Sequence, residues 1–335
     1  MSASAKTPTV AREPARPPVL PGTPSFDGVC APDGTSFAEF RRTLTPRYAH
    51  AWLDLAGRWL LLGGGFAGMC LASARLGAAA AWLVLPAAVW IGFWFASIVL
   101  FMHEAAHFQL HRDKATNDRL ANLLVCWMTG DDVRSYRALH WQHHLHLGDP
   151  EDTEVSYHHA PTLRYALETL LFVHAWRVLR SHQSTPADGA DEPRRHARGV
   201  PLLRGLVVHG ALLAGPLWAG WWPAVAAWVL GVTVGFPYFS ALRNQLEHRS
   251  LTARSDVDYT KVPHGTVNRM FRRSLFARAF GSVGFDRHLL HHWDPSISYT
   301  RFDDLERFLM TTSLAPEIDA ARTTYLETWR RLATG

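Results

Sequence analysis

The sequence predicts an all-α integral membrane protein, with four transmembrane helices in two hairpins and a helical cytoplasmic cap. Three observations predict it. Apolar residues crowd into two regions, roughly 57–101 and 202–242, where charge is nearly absent. Each region can cross a bilayer twice, since one crossing takes about 20 predominantly apolar residues. Histidine is over-used, with 19 among 335 residues, and its clusters stand just outside those regions.

Residues 1–35 are rich in Pro, Ala, Ser and Gly and show no apolar period. They predict a disordered tail ahead of a single domain over 36–335. The tail lacks the apolar core of a secretory signal. The stretch SFAEFRRTLTPRYAHAWLDL, from Ser36 to Leu55, has mixed helical spacing with Arg and aromatic side chains. It predicts helices lying at the membrane surface.

The first span is expected over about 56–76, with Arg58 and Arg75 at its ends able to reach the headgroups. Gly64 and Gly68 stand there in the GxxxG spacing that permits close helix packing. The second span, about 77–101, carries no charge and contains Pro86, which membrane helices tolerate. The second hairpin repeats the design over 202–220 and 221–242, with Trp218, Trp221 and Trp222 marking an interface belt. Two hairpins place the N-terminus, 102–201 and 243–335 on one side. Nearly all Lys and Arg lie in those segments, so that side is expected to be cytoplasmic, with both termini and the active site. Between the hairpins, NDRLANLLVCWM and TLRYALETLLFVHAWRVL look amphipathic, and 181–199 reads as a polar loop.

Composition excludes several classes. Cys30, Cys70 and Cys126 form no zinc-ribbon or iron–sulfur spacing, and an odd count argues against a disulfide scaffold. The net charge of +5 is modest and the basic residues form no stripe interleaved with aromatics, so nucleic acid is not an expected partner.

Four histidine groups carry the chemistry. HEAAH holds His103 and His107, and HWQHH holds His140, His143 and His144. NQLEH holds Asn244 and His248, and HLLHH holds His288, His291 and His292. Residues three and four apart share a helix face. The topology puts all four groups on one membrane side, two of them where a span emerges. Nine imidazoles are too many for one ion and suit two ions of four or five ligands each. Asn244 can hold a metal-bound water or ligate weakly. Imidazole suits Zn, Cu, Fe and Ni, so spacing alone does not choose the metal.

The boxes HEAAH, HWQHH and HLLHH, with NQLEH before the last, resemble those of the membrane fatty acid desaturase and hydroxylase superfamily. The tracts GDPEDTE and HLLHHWDPSISYTRFDDL are similar to the segments that follow its second and third boxes. The resemblance covers roughly residues 45–310. It implies a non-haem di-iron centre with O₂ as co-substrate but does not fix the substrate, for which the expectation is a lipid or acyl chain that is desaturated, with hydroxylation of the same chain as the alternative. Whether the product is an alkene or an alcohol stays open, and a small specialised metabolite is a further alternative. The imidazole set fits iron on physical grounds. Neutral ligands give no charge compensation, unlike the carboxylates of soluble di-iron bundles, and electron-poor metals favour a strong oxidant.

His111, four residues after His107, is a candidate tenth ligand or a supporting group. Glu104, Glu247, Asp149, Glu151, Asp152 and Asp286 are candidates to orient imidazoles through hydrogen bonds. HEAAH alone also fits the HExxH zinc pattern of a protease with Glu as general base, but that reading leaves two HxxHH boxes idle. A metal carrier is the non-catalytic rival, although carriers hold ligands near the bilayer midplane. The chain carries no haem-binding HPGG motif and no cysteine cluster, so electrons are expected from an external ferredoxin, rubredoxin or cytochrome b5-like donor with its reductase. Arg269, Arg272, Arg273 and Arg278 offer either an acidic donor or lipid headgroups a partner.

Overall fold

The computed structural model of the protein describes residues 20–171, 173 and 193–334. Residues 1–19 of the expected tail and 181–192 of the expected polar loop lie outside them. So does most of the second amphipathic stretch beyond Leu171.

The described chain is mostly helical, with almost no strand. A short helix α1 (Phe37–Thr43) precedes a long helix α2 (Tyr48–Leu76), and a 3-10 turn over Gly77–Leu83 leads into α3 (Val84–Ala106). Then come α4 (Lys114–Leu124), α5 (Val133–His146), α6 (Leu163–Leu170) and α7 (Pro193–Trp218). Helix α8 (Trp222–Leu230) runs through a π-helical turn, Gly231–Gly235, into α9 (Phe236–His248). The C-terminal part holds α10 (Leu275–Phe280), α11 (His288–Trp293), α12 (Phe302–Leu309), α13 (Ala315–Ala320) and α14 (Tyr325–Thr334). Two short strands, Met270–Phe271 and Arg322–Thr323, pair in parallel.

Three stretches are long and apolar enough to cross a membrane: Tyr48–Ala106, Gly199–Trp218 and Trp222–His248. The first doubles back at Gly77, whose φ of 55° suits a residue without Cβ. Its two arms lie side by side, with Trp90 Nε1 donating to Leu61 O at 2.8 Å and Arg58 Nε donating to Ser97 Oγ at 2.9 Å. Pro86 lies inside the first apolar stretch, in the first turn of α3, because 77–83 is not α-helical. A missing N–H costs nothing in that turn. The surface of these helices is strongly apolar: Leu60 is 76% exposed, Trp82 89% and Trp218 93%. Such a surface fits a membrane.

The close helix approach is not where the GxxxG spacing of Gly64 and Gly68 suggests. Both face open space. The tight contact is Gly92 on α3 against the π-turn, where an added Cβ would stand 2.6 Å from Gly235 Cα and 2.8 Å from Gly231 O. This contact fixes α3 against the segment that feeds α9, and both helices end in histidines.

The tail assigned to 1–35 is folded from Leu20 onward. Leu20 and Val29 are buried, Phe26 stacks on Phe37 with ring centroids 4.0 Å apart, and Cys30 bridges to Ser36. A Pro- and Gly-rich composition rules out a helix but not a chain of turns anchored by a few apolar side chains. This segment covers α11: Thr23 Oγ1 donates to His292 O at 3.2 Å, and Arg41 pairs with Asp294 just beyond the box. Val29, Phe37, Leu289, Leu290, Trp293, Leu305 and Leu309 form one apolar cluster around it.

Candidate metal centre

Each histidine box sits on a helix whose ends explain its place. His103 lies in the last turn of α3 and His107 caps it. Asp132 caps the start of α5, accepting from the N–H groups of Arg134 and Ser135, and that helix carries His140, His143 and His144. His248 is the last residue of α9, and His288, His291 and His292 belong to α11. All nine side chains are buried.

The structure brings the nine together in two groups. His103, His107, His140, His144 and His291 form one, and His143, His248, His288 and His292 the other; in each, the ligand atoms lie within 4.8 Å of one another. The HxxHH boxes divide in a reciprocal way. In HWQHH the i, i+4 pair joins the five-histidine group and the i+3 residue the other. In HLLHH the i, i+4 pair, His288 and His292, joins the four-histidine group and His291 the five. Each short helix therefore serves both groups and fixes their spacing.

The Nε2 atoms face one another. His140 Nε2 is 2.9 Å from His107 Nε2, and His144 Nε2 is 3.0 Å from both His140 Nε2 and His291 Nε2. His291 Nε2 is also 3.0 Å from His103 Nε2. In the other group His288 Nε2 is 3.0 Å from His248 Nε2 and 3.1 Å from His292 Nε2. The buried Nε2 of His143 has no hydrogen-bond partner among the described residues.

Several Nδ1 atoms are spoken for on the outside. His143 Nδ1 lies 2.9 and 3.0 Å from the two oxygens of Asp152. His140 Nδ1 is 3.2 Å from Glu154 Oε1, and His248 Nδ1 is 2.9 Å from the Val267 carbonyl. Glu104 Oε1 stands 3.5 Å from His103 Nδ1. An imidazole that donates from Nδ1 presents a lone pair at Nε2. Several such lone pairs aimed at one point repel unless a cation stands between them, so the donor set fits a metal ion in each group.

Electrostatics keep most of these rings ready to ligate. Burial, reinforced by the neighbouring imidazoles, pushes His107, His144, His288, His291 and His292 well below the ordinary histidine value. His143 differs. Burial opposes its charge, but Asp152 and Glu154 outweigh that and lift it to about 9. Glu154 is in turn held well below the usual carboxylate range by His143 and His140, against its burial.

The tract GDPEDTE supplies the support, through residues that only partly match the expectation. Asp152 also accepts from the Tyr157 hydroxyl at 2.6 Å and from the Glu154 N–H at 2.8 Å. Asn244 Nδ2 donates to Glu154 Oε2 at 2.9 Å, while its Oδ1 accepts from the Tyr157 N–H at 2.9 Å. Asn244 thus ties α9 to this tract. Asp149 stands in a separate, partly exposed set with His146 and Glu151. Asp286 is buried, 3.8 Å from Arg287, whose other carboxylate partners are Glu306 and Asp303. His111 is displaced from the groups because α3 ends at Ala106 and Phe108 turns the chain with a φ of 59°. Its Nδ1 accepts from the Asp113 N–H at 3.0 Å. The i+4 relation to His107 holds only on a continuing helix. Cys126 is buried, and burial pushes its thiol up to about 12, as suits a packing residue.

Sequence reasoning did not single out Glu154 or Tyr157. The signal for Glu154 was its place two residues after Asp152 in the same acidic tract.

A cavity of about 500 Å³ opens beside both groups. His103, His140 and His288 reach it, with Leu100, Met102, Leu139, Val155, Phe236 and Phe285 as apolar wall.

A family model described as fatty acid desaturase matches residues 80–325, a stretch that holds all nine histidines. A search of curated proteins finds no match.

Proposed function

The chain belongs to the fatty acid desaturase family, and from that premise we propose that it is a membrane-bound di-iron oxidoreductase that introduces a double bond into an acyl or lipid chain. The observation that carries this reading is the pair of five- and four-imidazole groups beside one cavity. His103, His107, His140, His144 and His291 would hold one iron, and His143, His248, His288 and His292 the other. Bound there, the iron pair supplies the O₂-dependent oxidising power that an unactivated C–H bond demands. The reaction takes O₂, two electrons and two protons. Two hydrogens leave adjacent carbons, and two waters form.

The protein's own residues do the rest. Asp152, Glu154 and the Val267 carbonyl hold the imidazoles in the tautomer that ligates. Glu104, Asp152 and Glu247 are buried carboxylates around the two groups, and Glu154 is a half-buried one. The apolar wall keeps water from the chain being oxidised. Glu104 lies on the Nδ1 side of His103, away from where a protease's general base would act, and its two histidines share a group with three more. Both facts weigh against the HExxH zinc reading.

The 59 residues of Tyr48–Ala106 would run to about 90 Å as one straight helix at about 1.5 Å per residue, three times the hydrocarbon core. Doubled at Gly77 they make two crossings, and with the second apolar region four. The Lys and Arg distribution then puts both termini and the metal centre in the cytoplasm, where an external donor can deliver electrons. The test is expression with a donor system, with lipid profiling and metal analysis. Two irons per chain, O₂ consumption and a product lighter by two hydrogens are expected. A product heavier by one oxygen would make the enzyme a hydroxylase, and bound metal without O₂ turnover would remove the enzyme reading.

A further inference from the structure

The cavity constrains the substrate, given the oxidase reading above. Ser240, Arg243, Asn244 and Glu247 recur at spacings of three and four along α9, and all line the cavity. This wall is polar where a cavity for a bare hydrocarbon tail would be apolar. Asn244 is engaged with Glu154 and Tyr157. Glu247 serves the centre, with Oε2 3.9 Å from His288 Nε2.

Arg243, paired with Glu247, is the one arginine or lysine among the described residues that line the cavity. Its side chain is 12% exposed, and its buried Nε has no hydrogen-bond partner among the described residues. The nearest carboxylate, Glu247 Oε1, is 3.5 Å from that Nε. The guanidinium lies over the Phe285 ring, 4.8 Å from its centroid. A buried guanidinium N–H without a hydrogen bond is costly.

We propose that Arg243 binds the carboxylate of the substrate, so that the enzyme acts on a carboxylic acid held with its acid end beside the histidines. A planar guanidinium suits a carboxylate by paired hydrogen bonds. The Phe285 ring that carries Arg243 lies 4.6 Å from the His288 ring and 4.7 Å from the His103 ring, centroid to centroid. An acid anchored there exposes carbons close to its carboxyl group to the metal centre. A chain esterified in a lipid brings Arg243 no charge.

The test uses purified iron-loaded protein with dodecanoate, methyl dodecanoate and dodecyl phosphate. Binding is read by ligand-dependent thermal shift, and products by tandem mass spectrometry. The wild type is expected to bind dodecanoate about ten- to a hundredfold more tightly than its methyl ester, and to modify it near the carboxyl group. Arg243→Gln should lose that preference while keeping its iron, and Arg243→Lys should keep part of it. Equal binding of acid and ester, binding of dodecyl phosphate alone, or no binding of any probe overturns the proposal. So does modification far from the carboxyl group. Loss of iron in Arg243→Gln together with an unchanged preference in Arg243→Lys would make Arg243 a structural partner of Glu247 and overturn it too. Dodecanoate bound through Arg243 without turnover supports the anchor and counts against the oxidase reading instead.

Discussion

The two histidine groups are built from the same boxes yet are not equivalent. The five-histidine group closes on itself, with Nε2 contacts of 2.9–3.0 Å linking all of its rings. The four-histidine group has one fewer imidazole, an unpartnered Nε2 on His143, and the lifted proton affinity that Asp152 and Glu154 give that ring. Both groups reach the cavity, the five-histidine one through His103 and His140 and the four-histidine one through His288. One site is thus over-provided with ligands, and the other leaves room for a further ligand and depends on a carboxylate behind one imidazole. The difference suggests a division of labour between a site that holds its ion firmly and one that exchanges what its ion binds.

The adjacent residues His291 and His292 give the sharpest way to break this contrast. His291→Ala leaves four imidazoles in its group, the number that the other group has naturally, whereas His292→Ala leaves three. Turnover should fall more than about a hundredfold in both, beyond what loss of a supporting residue costs. Metal analysis should find His292→Ala short of one iron and His291→Ala retaining much more. Equal metal loss in both would mean that the ions are held as one cooperative unit.

Asp152→Asn tests the weaker site alone. The hydrogen bond behind His143 loses its charge, and metal affinity of the four-histidine group should drop about ten- to a hundredfold with the five-histidine group unchanged. Acidity sharpens the same contrast. His143 is lifted to about 9, so in metal-free protein it is protonated at neutral pH. Its contribution to folding is present there and fades as pH rises through about 9. Metal must displace that proton, so affinity at this group should climb about tenfold per pH unit up to about 9. His107, His144 and His291 are held well below the ordinary value, so affinity at the five-histidine group should be flat near neutrality. Chelator-competition titrations of the apo protein at several pH values measure both slopes. In Asp152→Asn the steep one should flatten.

The same contrast marks how far the sequence could be read. The boxes were legible because helix spacing of three and four is local, and the hydropathy pattern placed them on one side. Nine histidines also argued for two ions. The split into five and four was not legible, since it depends on how α5 and α11 are rotated against each other. Support from GDPEDTE was visible as a tract, but whether Asp149 or Glu154 would face a ring depends on the turn after α5. Arg243 is marked by no motif in the sequence, and only the cavity makes it stand out. Gly64 and Gly68 had the right spacing on the wrong face, while Gly92 had no partner in its own segment to announce it.

The smallest effect belongs to His111. A tenth imidazole in the five-histidine group would erase the contrast in a different way, by making that site six-coordinate and closed. Phe108 turns the chain out of the helix, and the His111 ring is held by the Asp113 backbone. His111→Ala should therefore leave iron content and turnover at wild-type levels and cost less than about 0.5 kcal/mol of stability. Metal analysis and thermal unfolding of the iron-loaded protein measure both. A loss of iron from this variant would require α3 to continue past Ala106 when metal is bound, and the closed site would then be the one to reconsider.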